Sequence, residues 1–309
     1  MFKYTLDNKR YHTLNYHVKT KYNCKVVKVS LNAGFSCPNI DGKVGYGGCI
    51  YCSKTGSGEF GGDKTKPLSE QFKDVKEQIS KKWPNSKYIA YFQARTNTYA
   101  PLNILKEKYE SVLNLDDVIG IAIATRPDAI EDDVLDYLEE LNKKTNLTIE
   151  LGLQTIHDKT SKLINRCHTL EQFENMFYKL KKRNIEVIVH IINGLPYETK
   201  EMMLETVKYL NKIKIDGIKI HMLNIVKDTP LETFYKQEKF HVLTKEEYID
   251  IVISQLEYLD PNIVIHRITS DPDSKTLIEP TWLVKKFCLL NDIDKEMKKR
   301  NTYQGCKIK

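Results

Sequence analysis

Three of the chain's seven cysteines, Cys37, Cys49 and Cys52, lie in one glycine-rich stretch, G-F-S-C-P-N-I-D-G-K-V-G-Y-G-G-C-I-Y-C-S-K-T-G-S-G. Nine of the fourteen glycines fall between Gly34 and Gly62. Such a density excludes a regular helix or strand, because glycine loosens the backbone and supplies no packing. It suits a loop that wraps closely around something compact. Cys49 and Cys52 are spaced so that both thiolates reach one metal centre, and Cys37 closes the loop from upstream. Structural zinc normally takes four protein ligands, and this loop offers three, so a fourth would come from elsewhere, such as Cys24 or His17. An iron–sulfur cluster is the other thiolate-rich choice; on a four-iron cluster, three cysteines leave one iron open. Spacing alone leaves zinc and iron–sulfur on equal terms. An odd cysteine set without a secretory signal argues against disulfides.

Other reactive side chains recur at the ends of apolar, β-branched runs. Glu150, Gly152 and Gln154 alternate in L-T-I-E-L-G-L-Q, so the pattern places them on one face of a strand. A glutamate facing a sheet interior is costly unless partnered. Arg166 follows in L-I-N-R-C-H-T. His190 sits in E-V-I-V-H-I-I-N, where a hydrogen-bonded core histidine and a site residue are equally good readings. Lys219 and His221 alternate in G-I-K-I-H-M-L, which points to an anionic or carbonyl group in a pocket. Arg126 and Asp128 in T-R-P-D read as a turn and helix start. Cys24, Cys288 and Cys306 carry no motif, and Cys167 reads as a tolerated small residue.

The elements that must hold these groups alternate. Strands are expected to end at Leu31, Phe92, Thr125, Gln154, Asn193 and Leu223. Helices are expected over 68–82, 101–114, 131–143, 170–183 and 200–213 between them. This α/β alternation with short connections implies a parallel sheet with helices outside, either open or curled into most of a barrel. Six units are visible, which disfavours a complete eight-fold barrel. Active groups then collect at the carboxyl ends of the strands. The division expected is a basic segment over 1–25, a core over 26–228, and an extension over 229–309 with a basic helix after Pro280.

With 309 residues, 41% hydrophobic and 29% charged, the chain has the composition of an ordinary globular protein. No apolar run reaches the ~20 residues needed to span a bilayer, and the first residues lack a signal-peptide core, so a cytoplasmic location is expected. Of the net charge of +7, residues 1–30 carry +6 and residues 281–309 carry +5, leaving the middle at −4. Lysine-rich ends are usually solvated surface; folded onto one side they would form a polyanion-binding face.

The string C-P-N-x-D-G-x-x-G-x-G-G-C-x-[YF]-C resembles the radical S-adenosylmethionine (SAM) superfamily, and in particular its YhcC/YtqA-type group, with Ile40 where that group usually has arginine. E-L-G-L-Q-T…N-R-x-H-T is similar to the Elongator catalytic subunit and to coproporphyrinogen dehydrogenase. H-I-I-N-G-L-P, D-G-I-K-I-H-M-L, H-R-I-T-S-D and N-T-Y-Q-G extend the likeness over nearly the whole chain. The resemblance implies a partial (β/α)6 barrel of the TIM type, a 4Fe-4S cluster on Cys37, Cys49 and Cys52, and SAM on the open iron. Reductive cleavage of SAM would then release a 5′-deoxyadenosyl radical that abstracts hydrogen from the substrate.

For the cofactor it implies a ribose contact from Gln154, a carboxylate contact from Arg166, and an approach by Gln93 to the methionine amino group. Tyr51 would lie near the adenine, and Glu150 and His190 on the cofactor side. Lys219 and His221 would face the substrate. The group resembled is linked to tRNA wobble-uridine modification, from 5-carboxymethylaminomethyl-2-thiouridine to its aminomethyl form. That implies tRNA as partner, an electron donor such as flavodoxin or ferredoxin, and a separate methyltransferase acting on the product. A radical SAM enzyme for a small metabolite and a noncatalytic zinc-stabilised RNA-binding protein are the alternatives.

Overall fold

The computed structural model describes residues 2, 9–56, 58 and 61–308. In chain order the elements are α1 (Leu14–Tyr22), β1 (Val26–Leu31), α2 (Leu68–Lys82), β2 (Lys87–Phe92), α3 (Leu102–Leu113), β3 (Val118–Thr125), α4 (Asp132–Lys144), β4 (Asn146–Gln154), α5 (Asp158–Leu163) and α6 (Leu170–Lys182). They continue with β5 (Glu186–Asn193), α7 (Lys200–Ile213), β6 (Gly217–Met222), β7 (Ile225–Val226), α8 (Pro230–Gln237), α9 (Lys245–Tyr258), β8 (Val264–Arg267), β9 (Leu277–Glu279) and α10 (Lys286–Lys299).

Seven strands form one parallel sheet in the order β1-β2-β3-β4-β5-β6-β8. Each strand pairs with the one before it, so successive right-handed crossovers carry the sheet round in one direction as a curled half-barrel. The outer face is apolar: Val29, Leu31, Ala90, Phe92, Ile121, Ile123, Ile149, Leu151, Val187, Val189, Ile218 and Ile220 are buried in the core, under helices α2 to α9. Helices α1, α6, α7, α8 and α9 start on threonines, Thr13, Thr169, Thr199, Thr229 and Thr244, whose side chains accept from an exposed N–H group. Thr169 with Gln172 and Thr244 with Glu247 form capping boxes on α6 and α9.

The sheet does not stop after its sixth strand. β8, from the region expected to be an extension, pairs in parallel with β6 and supplies the seventh strand. The N-terminal segment is also tied in. Thr13 bridges to Ile265 on β8, and the Ile265 amide donates to the His12 carbonyl at 2.8 Å. The two basic ends of the chain meet, since the Gln304 amide donates to the Arg10 carbonyl at 2.9 Å and the His12 amide donates to Gln304 Oε1 at 2.7 Å. Much of their charge is spent locally: Lys9 pairs with Asp294, Lys307 with Glu257, and Arg300 with Asp250 and Glu296. Among the described residues no helix is long and apolar enough to cross a membrane.

Candidate active site

All seven strands open onto one cavity of about 790 Å³. Its lining includes Ser30, Tyr91, Thr125, Glu150, His190, Lys219 and Arg267, one residue from each strand. The face opposite the helices is therefore polar, and strand alternation puts it there.

The cysteine loop forms part of the wall, and Cys37, Cys49 and Cys52 all line the cavity. Tight turns shape it: the Ile40 amide donates to the Cys37 carbonyl at 2.8 Å and the Cys52 amide to the Cys49 carbonyl at 3.0 Å. The segment after α5 pins it from outside. Asn165 Nδ2 donates to the Gly48 carbonyl at 2.7 Å, and Asn39 Nδ2 donates to the Asn165 carbonyl at 2.6 Å. Gly45 is required by close approach, because a Cβ there would lie 2.3 Å from Asn39 Oδ1 and 2.8 Å from Cys167 Sγ. Cys167 itself has φ 63, a left-handed conformation that costs a side-chain-bearing residue energy.

The hydrogen bond from Cys52 lowers the Cys49 thiol to about 6, with help from the Arg126 charge and against burial. The Cys52 thiol is correspondingly raised. Arg126 is held by Asp128 through two bonds of 2.9 and 2.7 Å, so this pair is more than a turn: it keeps a cation beside the thiols. Among the described residues no three Cys, His, Asp or Glu side chains gather tightly enough for a single metal ion. The donor set fits a thiolate-bound cluster: three thiols on one cavity, one of them poised as thiolate, with cations nearby.

Gln154 ends β4 with φ 69, after a register shift between Gly152 and Gln154. That bulge carries its side chain back over Gly152 and into the cavity wall. Gln93 and Tyr51 also line the cavity, and Ser30 Oγ donates to Gln93 Oε1 at 3.2 Å. Asn224 Oδ1 is buried on the same wall without a partner among the described residues, an acceptor left for a bound group.

Two residues expected to contact the cofactor are already engaged within the chain. Arg166 is 1% exposed, and its guanidinium is spent on backbone carbonyls. Nη1 donates to Leu153 and, at 2.5 Å, to Thr155, while Nε and Nη2 donate to His168 at 3.1 and 2.9 Å. One N–H remains, enough for a single bond but not for a two-bond carboxylate fork. Burial lowers its pKa to about 10. Glu150, 0% exposed, is heavily engaged: Oε2 accepts from Lys219, Tyr91 Oη at 2.6 Å and His190 Nε2 at 2.9 Å, and Oε1 accepts from Lys28. Its role is to gather cations. The Tyr91 ring lies between them, with Lys219 Nζ 4.6 Å and Lys28 Nζ 5.1 Å from its centroid.

Burial opposes the Glu150 charge, yet Lys219, Lys28 and His190 hold its pKa well below the usual carboxylate range. Lys219 falls to about 7, chiefly through burial and then the nearby Lys28 and Arg267 charges, against the pull of Glu150. His190 drops to about 4, mainly by burial, and burial also drives His221 down, so both rings are neutral near pH 7. They lie 5.2 Å apart.

Lys28, Tyr91, Asn224 and Arg267 were not singled out by sequence. For Lys28 a signal existed, since a lysine alternating with Ser30 inside K-V-V-K-V-S-L is the same anomaly that marked Lys219.

Comparison with known proteins agrees with this geometry. The sequence pattern of the radical SAM superfamily matches residues 45–210, and that of the radical SAM C-terminal domain matches residues 215–299. The chain is 50% identical to YtqA of Bacillus subtilis over 304 residues, 98% of this chain and 94% of YtqA. It is 24% identical to the tRNA uridine(34) acetyltransferase of Methanocaldococcus infernus over 191 residues, 61% of this chain but only 35% of that protein. In structure it resembles the archaeal Elp3 of the same organism with a TM-score of 0.70 at 19% identity, over 91% of this chain and 64% of the other. At that identity the likeness is one of fold.

Proposed function

The chain belongs to the radical SAM superfamily, enzymes that bind a 4Fe-4S cluster and SAM, and from that premise we propose that it modifies the wobble uridine of tRNA. The step proposed takes 5-carboxymethylaminomethyl-2-thiouridine to 5-aminomethyl-2-thiouridine: hydrogen abstraction from the carboxymethyl carbon, loss of a second electron to an external one-electron acceptor and hydrolysis of the resulting imine would break the C–N bond and release the two carbons as glyoxylate. The observation that carries it is the pair of cations on neighbouring strands, where Lys219 of β6 and Arg267 of β8 line the cavity at one register position. Such a pair suits a substituent that ends in a carboxylate. The relative that acts on tRNA uridine 34 and the meeting of the two basic ends support the RNA part of the reading.

When bound, the cluster and SAM supply one-electron cleavage of the sulfonium and a radical able to abstract hydrogen. The chain's own residues would do the rest. Cys37, Cys49 and Cys52 would hold the cluster as thiolates, with Arg126 offsetting part of their charge. Gln154, Gln93, Asn224 and the last N–H of Arg166 would orient SAM, and the Tyr51 ring would pack beside it. Lys219 and His221 would face the substrate. Lys219 titrates near neutral pH, so it can hold or give up a proton there without leaving its place.

The electron would come from an external donor such as flavodoxin or ferredoxin, and the product would pass to a methyltransferase. The test is mass spectrometry of tRNA nucleosides from cells with and without the gene. Loss of the protein should raise the carboxymethylaminomethyl form at the expense of the aminomethyl and methylaminomethyl forms. An unchanged profile, in a host without a second enzyme for the step, rejects the assignment. One observation favours a small anionic metabolite instead: much of the basic charge at the chain ends is locked in ion pairs. Failure of tRNA to compete for binding would select that reading.

A further inference from the structure

The end of the cavity at β6 and β8 carries Lys219, Arg267 and Lys286 with Glu150, Asp271 and Asp273, and Lys28 reaches Glu150 from β1. Glu150 already accepts from four donors, three of them on Oε2. Asp271 is shared, lying 3.3 Å from Arg267 Nη2 and 2.7 Å from Lys286 Nζ.

Arg267 is the least committed of the four cations. That one long contact is its only ion pair among the described residues, so most of its five N–H donors are open. β8 places it at the register position of Lys219 on β6, and both side chains line the cavity. His221, also on the lining, has no hydrogen-bond partner among the described residues. Adjacent half-buried cations repel one another and lose hydration, and an anion between them relieves both costs. Of the two, arginine has the shape for it: its planar fork gives a carboxylate two parallel bonds, where lysine offers a point charge.

We propose that Arg267 is the fork that receives the carboxylate of the substrate's side chain, with Lys219 as the second cation, so that this end of the cavity selects a substituent that bears a carboxylate over one that lacks it. The proposal rests on the tRNA reading above and assigns its specificity. Glu150 acts here as a positioning residue that keeps Lys219 beside the fork.

The experiment compares binding of two tRNAs to the reconstituted enzyme with SAM at fixed salt, one carrying 5-carboxymethylaminomethyl-2-thiouridine and one its 5-aminomethyl counterpart. Wild type should bind the carboxylated tRNA more tightly. Arg267→Met should erase about 10- to 100-fold of that preference, the size expected for a charge-assisted pair, while affinity for the aminomethyl tRNA, whose ammonium the guanidinium repels, holds or rises. Arg267→Lys should keep part of the preference. If Arg267→Met retains the full preference, or weakens both tRNAs equally, the assignment of Arg267 falls and the tRNA reading stands. A wild type that processes the carboxylated tRNA without preferring it also overturns the assignment. A wild type that neither binds nor processes it rejects the tRNA reading itself.

Discussion

Replacing Glu150 with glutamine tests the floor of the cavity most directly. The carboxylate is fully buried and is the common partner of Lys28 and Lys219, whose side chains are 17% and 8% exposed. Glutamine keeps the shape but removes the charge, leaving two poorly hydrated lysines without a counterion. Breaking a buried pair in this way costs about 3–5 kcal/mol. For 309 residues and an unfolding entropy of about 2.1 cal/mol/K per residue, that is a fall in Tm of about 5–8 °C.

The penalty depends on pH, with a sign that follows from Lys219. Unfolded, Lys219 holds its proton up to about pH 10.4; folded, it releases it near 7. Between those values the unfolded chain binds more protons, so stability from this residue rises with pH. In the variant Lys219 loses its counterion and sheds its proton at still lower pH. The attraction lost is therefore greatest at and below pH 7, and it shrinks by pH 9, where Lys219 is already neutral in the wild type. Thermal unfolding of both proteins at pH 6.5 and pH 9 measures this. A Tm loss under about 2 °C, or a penalty that grows with pH, refutes the argument.

Alanine at Cys37, Cys49 or Cys52 should abolish the iron–sulfide absorption of the anaerobically reconstituted protein, while alanine at Cys288 or Cys306 leaves it intact; a full cluster in any loop variant refutes the ligand set. Arg166→Ala should lower Tm even without SAM, because it strands the Thr155 carbonyl and removes donors from those of Leu153 and His168, at about 1–3 kcal/mol for a group left unsatisfied; unchanged unfolding would mean the guanidinium is not a structural pin. Cys167→Gly should keep the cluster and hold or raise stability by up to about 1 kcal/mol, since glycine relieves the left-handed φ of 63; a clear loss on urea unfolding would show that the Sγ contact to Asn165 Oδ1 at 3.2 Å outweighs the strain.

Periodicity and spacing alone determined most of the scaffold. V-I-G-I-A-I-A-T and E-V-I-V-H-I-I-N are apolar but for their ends and His190, the mark of strands in a parallel sheet, and the structure has them at Val118–Thr125 and Glu186–Asn193. The helices at Leu68–Lys82 and Lys200–Ile213 were legible from their apolar stripes and breakers. Glycine density and cysteine spacing marked the loop at the cavity, because such chemistry is local in the chain.

Partnership was not legible. Glu150 is bound by residues 28, 91, 190 and 219, from four other parts of the chain, and only the curl of the sheet brings them within reach. The same sequence signal, a polar residue alternating on a buried strand, describes Glu150, Lys219 and Gln154 alike. Whether such a group is left open for a ligand or is already satisfied depends on its neighbours across the barrel. Arg166 shows the same limit, since its motif names the residue while the carbonyls that consume its donors come from how the chain turns at the end of β4. The short strand at 263–268 could be read as a strand, but its place as the seventh in the sheet, with Arg267 beside Lys219, was decided by the crossover that returns it to β6. Local pattern records what each segment buries; charge pairing across a cavity is a property of the closed fold.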